Sequence, residues 1–278
     1  MSAHPVRRPR SSALFSALGF ATLAAASPAS ASPSDAPVVS DVASFHWSNA
    51  IAAPRTVRLS GSNGGITVSP SADGKLDVRA VVKDGDPSRA RVVTREEGGG
   101  VAVCVLFADE SPEICHVGGV NRTGKGHHDE VPTIELVARV PAGVPVSANT
   151  LNGAIQAQVT GGEVHASTLN GNVTVSGGPV AEATTLNGSV DVTLPTAPSA
   201  SVKFSTNNGN VTITLPRATN ANLEASTMHG EIKAVVPMSI QSTAGGFGPK
   251  SGSGTLGSGG VTIEGRSLNG NVEFRTSG

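Results

Sequence analysis

The chain has 278 residues, with 20 Lys and Arg against 21 Asp and Glu, and it is rich in Gly (34) and Pro (18) but holds one Trp, seven Phe and no Tyr. Near-neutral charge without a basic stripe excludes nucleic acid and anionic membrane surfaces as main partners. Val and Thr fill the runs between the Gly and Pro residues, and no long helical pattern follows the N-terminal segment, so an all-β chain is expected.

Residues 1–31 read as a secretory signal. Arg7, Arg8 and Arg10 precede an apolar run from Ala13 to Ala26, and Ala29-Ser30-Ala31 supplies the small-residue pattern for cleavage before Ser32. The run is shorter than the roughly 20 apolar residues that a spanning helix needs, so the chain is not expected to span a membrane once the signal is removed. No cysteine follows the run to carry a lipid anchor. Cleavage takes three arginines and no acid, which leaves 17 basic and 21 acidic residues and a net charge of −4. The expected location is exported: periplasm, cell surface or extracellular medium. Residues 32–44 form a Ser, Pro and Ala-rich leader that is expected to be mobile.

From residue 45 to 140 short alternating runs, such as Thr56 to Leu59, Leu76 to Val82 and Val101 to Phe107, predict strands separated by turns. Their spacing is irregular, and this N-terminal β region is expected to cover one end of the repeat structure that follows. Ser62-Asn63-Gly64-Gly65-Ile66 is an early copy of the later turn signature. Cys104 and Cys115 flank a predicted turn at Asp109-Glu110-Ser111-Pro112, and in an exported chain they are expected to form a disulfide across a short β-loop. The spacing is not Cys-x-x-Cys, so a structural bond is the better reading than a redox pair.

Residues 141–278 are organised by a recurring Thr-Leu-Asn-Gly, at Thr150 to Gly153, Thr168 to Gly171 and Thr185 to Gly188, with relaxed copies ending at Gly209, Gly230 and Gly270. From Asn152 through Asn170, Asn187, Asn208 and His229 to Asn269 the steps are 18, 17, 21, 21 and 40 residues. A period near 20 residues marks a stacked repeat, and the last step reads as two turns in which one signature has decayed. An antiparallel meander and a parallel β-solenoid both accommodate alternating strands after each glycine. Near-identity of the turns favours the solenoid, because equivalent residues then lie about 4.8 Å apart and touch, whereas in a meander they sit about 10 Å apart. Asn152, Asn170, Asn187, Asn208 and Asn269 are thus expected to stack as an amide ladder. Each is followed by a turn glycine, Gly153, Gly171, Gly188, Gly209 and Gly270, and Asn-Gly is expected to enter the left-handed backbone region at the corner. Glu273 and Arg275 are expected to charge the last exposed strand.

With these residues in view, the chain resembles the bacterial exported proteins known as "putative adhesins", built on a domain of unknown function with β-helical repeats. The resemblance is carried by Ser44-Phe45-His46-Trp47, the Ser62 to Ile66 turn, Val137-Ala138-Arg139-Val140-Pro141-Ala142-Gly143-Val144 and the Asn-Gly coils, over roughly residues 45 to 276. It implies an exported β-solenoid-like domain with no established catalytic set. His229 in an Asn place and the Gly-rich insertion after Thr243 depart from the pattern.

Several residues are of types that can form sites. His116, His127, His128 and Asp129 share one Gly-rich stretch without metal-ligand ordering, which reads as a solvated loop, so no metal is expected. Polysaccharide lyase or hydrolase chemistry needs carboxylates gathered with a base or spaced as a pair, whereas Glu163, Glu182, Asp191, Glu224, Glu231, Glu264 and Glu273 are scattered. No catalytic residue and no cofactor is expected, and a carbohydrate-active enzyme is the third reading. Residues 244–260, with Phe247 and Lys250, read as a flexible excursion. The sequons at Asn121, Asn172, Asn187 and Asn210 arise from strand composition. The leading expectation is a structural or binding module that contacts an envelope or extracellular protein or glycan through its Thr- and Asn-rich coil faces or exposed loops. A sensing or interaction partner within an envelope system is the alternative.

Overall fold

The structure, a computed structural model, describes residues 36–120, 130–242 and 248–277. Two long sheets face each other across a thin apolar core and together make a β-solenoid. The larger sheet runs in the order Val38–Asp41, Ala90–Glu97, Gly100–Phe107, Thr56–Ser60, Val146–Asn152, Val164–Asn170, Val180–Asn187, Val202–Asn208, Thr262–Asn269, Ala221–His229, Lys250–Leu256 and Met238–Ser242. The smaller follows His46–Ala50, Lys75–Asp84, Thr133–Val140, Ile66–Pro70, Ile155–Gln158, Val173–Ser176, Val190–Thr193, Val211–Leu215, Val272–Thr276 and Ile232–Ala234. From Gly100–Phe107 to Ala221–His229, and from Thr133–Val140 to Ile232–Ala234, every neighbouring pair is parallel.

Each letter of the repeated signature has a separate task at the corner between the sheets. The Thr side chain points inward, and its hydroxyl donates to the glycine carbonyl of the coil beneath: Thr168 to Gly153 at 3.0 Å, Thr185 to Gly171 at 2.8 Å and Thr206 to Gly188 at 2.7 Å. A buried hydroxyl is thereby satisfied and two coils are tied together. The next residue points out, and Leu151, Leu169 and Leu186 are exposed. The Asn amides then bond in one direction along the axis, each Nδ2 donating to the preceding Oδ1 at 2.7 Å from Asn170 to Asn152, Asn187 to Asn170, Asn208 to Asn187 and Asn269 to Asn208. Only the glycines take positive φ at these corners; the asparagines remain in the strands, so the left-handed turn expected of the Asn-Gly pair belongs to Gly alone. Gly188 has φ 149°, and a methyl group there would lie 2.1 Å from the Gly171 carbonyl oxygen, so backbone conformation and inter-coil contact both demand glycine.

The early turn belongs to the same stack. Thr56–Ser60 and Ile66–Pro70 pair directly with Val146–Asn152 and Ile155–Gln158, and Thr150 donates to the Gly64 carbonyl. The Asn63 amide turns instead to Thr133 Oγ1 at 3.0 Å and the Val131 carbonyl at 3.2 Å, at the entry of the adjoining strand. Beyond this, antiparallel strands continue both sheets, Ala90–Glu97 and Val38–Asp41 on one and Lys75–Asp84 and His46–Ala50 on the other, so residues 38–41 of the expected mobile leader are instead held as an edge strand by backbone pairing. Ion pairs set the carboxylates of this end. A hydrogen bond from His46 holds Asp77 below the usual carboxylate range, and one from Lys83 does the same for Glu135 against the opposing effect of burial.

The far end departs from sequential stacking. The 40-residue step between His229 and Asn269 is not two successive coils: Thr262–Asn269 and Val272–Thr276 insert between the coil of Val202–Leu215 and that of Ala221–Ala234. The ladder accordingly runs Asn208, Asn269, His229, with His229 Nδ1 3.1 Å from the Asn269 Oδ1. Glu273 and Arg275 therefore lie on an interior strand of the smaller sheet, not on its edge. Most of the expected flexible excursion is also ordered, since Lys250–Leu256 pairs antiparallel with Ala221–His229; Phe247 lies outside the described residues.

The inserted coil is packed as tightly as the others. In its inner row Gly265 stands between Phe204 and Ala225, and a methyl on Gly265 would meet Val272 Cγ1 at 2.7 Å and Ile213 Cδ1 at 3.3 Å.

Two substitution series test this reading by denaturant unfolding. Asn187→Ala removes two ladder bonds and is expected to cost about 1–2 kcal/mol, with Leu186→Ala within about 0.5 and Gly188→Ala worse than both. Equal effects of Asn187→Ala and Leu186→Ala would contradict a stabilising ladder. Gly265→Val is expected to cost about 1–3 kcal/mol through overpacking, and a neutral result would mean that the inserted coil is loosely held.

Candidate functional site

The two outer faces differ because the two sides of a coil differ in length. Strands of seven to nine residues in the larger sheet, such as Val164–Asn170 and Ala221–His229, present three outward positions, whereas four-residue strands such as Val173–Ser176 present two. Three rows can form a floor with a border on each side. In register across the coils, one border is Ser147, His165, Glu182, Lys203, Glu264 and Glu224. The middle row is Asn149, Ser167, Thr184, Ser205, Arg266 and Ser226. The other border carries the exposed Leu151, Leu169, Leu186, Leu268 and Met228, broken by Asn207.

Four depressions follow the middle row along the solenoid axis and share lining residues. One of about 440 Å³ over Asn149 and Ser167 shares His165 and Glu182 with one of about 550 Å³ over Thr184. That shares Lys203 and Ser205 with a third of about 500 Å³, which shares Ser226, Ser251 and Arg266 with a fourth of about 270 Å³. Together they form a groove whose polymer-scale length comes from the stack. Volumes of this size match ordinary ligand sites.

The disulfide lies at one end of this groove. Cys104 and Cys115 are bonded, with Cα atoms 6.0 Å apart, and both are buried in a small cluster with Val93, Ala102 and Leu106. Gly100–Phe107 turns Val101, Val103 and Val105 to the main core, so Ala102, Cys104 and Leu106 are on the outer side, beneath the segment that follows. That segment is anchored further by Arg58, which donates to the Val117 carbonyl, and both residues line the first depression. His116 is not solvated in isolation: its Nδ1 lies 2.9 Å from Glu97 Oε1, and the Val117 amide donates to Glu97 Oε2 at 3.1 Å. Burial pushes the Glu97 carboxyl up, and these two hydrogen bonds outweigh it to leave it below the usual range. His127, His128, Asp129 and Asn121 lie outside the described residues.

Charges along the groove are paired both within and across coils. His165 Nε2 is 3.2 Å from Glu163 and its Nδ1 3.9 Å from Glu182, Lys203 is 4.0 Å from Glu264, and Arg266 also pairs with Glu264. Asp191, Glu231 and Glu273 sit away from it, on the smaller-sheet side. Of the remaining sequons, Asn187 is in the amide ladder, while the Asn172 and Asn210 side chains accept from the backbone amides of Ser189 and Asn271 in neighbouring coils. Sequence reasoning found the corner residues but missed the groove. Its one local signal is Asn207, where the second letter of the signature ceases to be apolar.

No protein-family model and no curated protein matches the chain. Two solved structures align with it. A "putative cell adhesion protein" from Clostridium sporogenes is 11% identical, with 84% of this chain and 99% of that one covered at a TM-score of 0.44. A "putative adhesin" from Bacteroides fragilis is 14% identical, with 88% and 99% covered at a TM-score of 0.38.

Opening the disulfide is expected to lower stability by about 3 kcal/mol for an 11-residue separation in the chain-entropy model. Thermal unfolding of Cys115→Ser, or of the native chain with and without reductant, measures it, and an unchanged midpoint would assign the bond no structural role.

Proposed function

We propose that this protein is an exported, non-catalytic, adhesin-like binding module, and that its contact surface is the groove on the outer face of the larger sheet. The observation that carries this reading is the chain of four depressions linked by shared side chains over a floor of Asn149, Ser167, Thr184 and Ser205. Small hydroxyl and amide side chains both donate and accept hydrogen bonds, and the parallel stack repeats them at about 4.8 Å, so the ligand suited to the surface is an extended chain lying along the axis. The corner bonds hold the floor rigid before a ligand arrives, which lowers the ordering cost of binding. The buried disulfide and the signal-like N-terminal sequence support an exported setting.

The test is to immobilise the protein and measure retention of extracellular and envelope glycans and proteins, alongside Thr184→Arg, which raises a long cation from the floor. Saturable binding by the native chain, weakened at least about tenfold in Thr184→Arg, is expected. Binding unaffected by Thr184→Arg would place the contact elsewhere, and turnover of a glycan without retention would replace a binding role by an enzymatic one.

A further inference from the structure

We propose that the depression where the inserted coil meets its neighbours binds a carboxylated sugar unit of an acidic linear glycan; this deepens, and rests on, the groove assignment above. The cavity, of about 500 Å³, is lined by three cations, Lys203, Lys250 and Arg266, and by no carboxylate. That is a local reversal in a chain with more acidic than basic residues. Lys203 and Arg266 share a single partner, Glu264, which opens onto the two adjoining depressions and not onto this one. Lys250 has no carboxylate partner among the described residues. Two cations answering one carboxylate, beside a third with none, leave positive charge available to an anionic ligand, and carboxylate recognition by Arg and Lys gains strength from charge-assisted hydrogen bonds.

Three further features select a sugar acid over an acidic peptide. Ser205, Arg266, Ser226 and Ser251 are in register on successive strands, so the guanidinium rises between Ser205 and Ser226, one strand spacing of about 4.8 Å from each. Those hydroxyls, with Asn207, suit a ligand that carries several hydroxyl groups around its anionic one. Leu268, Met228 and Pro249 give the cavity one apolar side for the C–H face of a ring. Continuity through Lys203 and Ser205 into the next depression lets the rest of the chain extend over Thr184 and Ser167. The break at Asn207 falls where the chain would pass from the cationic cavity to the hydroxyl floor, which Glu182 and Glu264 border.

The experiment is calorimetric titration of the full chain with three linear probes, oligogalacturonate, oligomannuronate and hyaluronate oligosaccharides, with methyl-esterified oligogalacturonate and poly-glutamate as comparisons. At least one uronate is expected to bind, to weaken as salt is raised, and to weaken about tenfold or more in Lys203→Gln/Lys250→Gln while circular dichroism and the unfolding midpoint stay unchanged. The ester is expected to bind about tenfold more weakly than its acid. An ester as tight as the acid would remove the carboxylate from recognition. Poly-glutamate binding as tightly as the uronates would make the ligand an acidic peptide, and uronate binding indifferent to the double substitution would move the site. Failure of all three uronates would overturn the proposal. The groove itself would still stand if a neutral ligand is retained and lost in Thr184→Arg, and both readings would fall together if nothing is.

Discussion

The hydrogen bond from the inward Thr hydroxyl to the glycine carbonyl of the coil beneath is the constraint on which the rest of the architecture depends. It is made at a corner, where the backbone leaves one sheet for the other while backbone bonds between coils continue through the bend. Backbone bonds cross the same bend, the Gly171 amide donating to the Asn187 carbonyl and the Gly188 amide to the Asn208 carbonyl, each at 2.8 Å, and the hydroxyl adds a second tie that occupies the glycine carbonyl. With it, Thr150, Thr168, Thr185, Thr206, Ser267 and Thr227 all close on the glycine of the neighbouring coil, and the amide ladder runs outside the same seam. The glycine must come within bonding distance of the coil above, which excludes a side chain and sets the corner geometry that each later coil copies. Coils held at both corner and sides present their outer rows in strict register, and a groove made of single side chains per coil needs that register to be continuous.

Much of this was legible in the residues. Four near-identical positions at a period near 20 residues identify contact between like corners, and that alone separates a solenoid from a meander. The two cysteines around an acidic turn announced their bond. Two things were not legible. The order of the coils was hidden because neighbours in sequence are usually neighbours in space, and nothing in Ser267-Leu268-Asn269-Gly270 states which rung it will occupy. A signature that makes every coil a partner for every other also erases the information about sequence order. The groove was hidden for a different reason: Ser167, Thr184 and Ser205 read as the ordinary polar half of an alternating strand, and only the parallel register makes them a line. The left-handed role given to Asn was an error of the same kind, since Asn-Gly resembles a hairpin turn until the stacking direction is known.

The unequal strand lengths give the molecule one working face. Two outward rows on the smaller sheet make a ridge and its neighbour, while three on the larger sheet make a channel. The end strands keep this face from being merely a surface of indefinite length. At one end the disulfide-bonded segment covers the outer side of Gly100–Phe107, with Val117 and Arg58 at the margin, and at the other Lys250–Leu256 and Met238–Ser242 run antiparallel and carry the floor on to Ser251 and Gln241. Arg266 interrupts the hydroxyl floor near that second end, with Lys203 and Lys250 on the same depression.

The placement of Thr262–Thr276 between two earlier coils also governs the time course of assembly. A solenoid normally grows as a zipper, each coil docking on a finished one. Here residues 216–220 must carry the chain past a rung that is still empty, and although Lys250–Leu256 can pair with the outer side of Ala221–His229, the side facing Val202–Leu215 has no neighbour until residues from beyond position 261 arrive. Assembly therefore ends with a keystone, not a final brick. A nascent chain emerging N-terminus first would hold an unsealed gap near the far end of the stack until that keystone enters, which converts an incremental stack into one in which residues 216–276 become stable together.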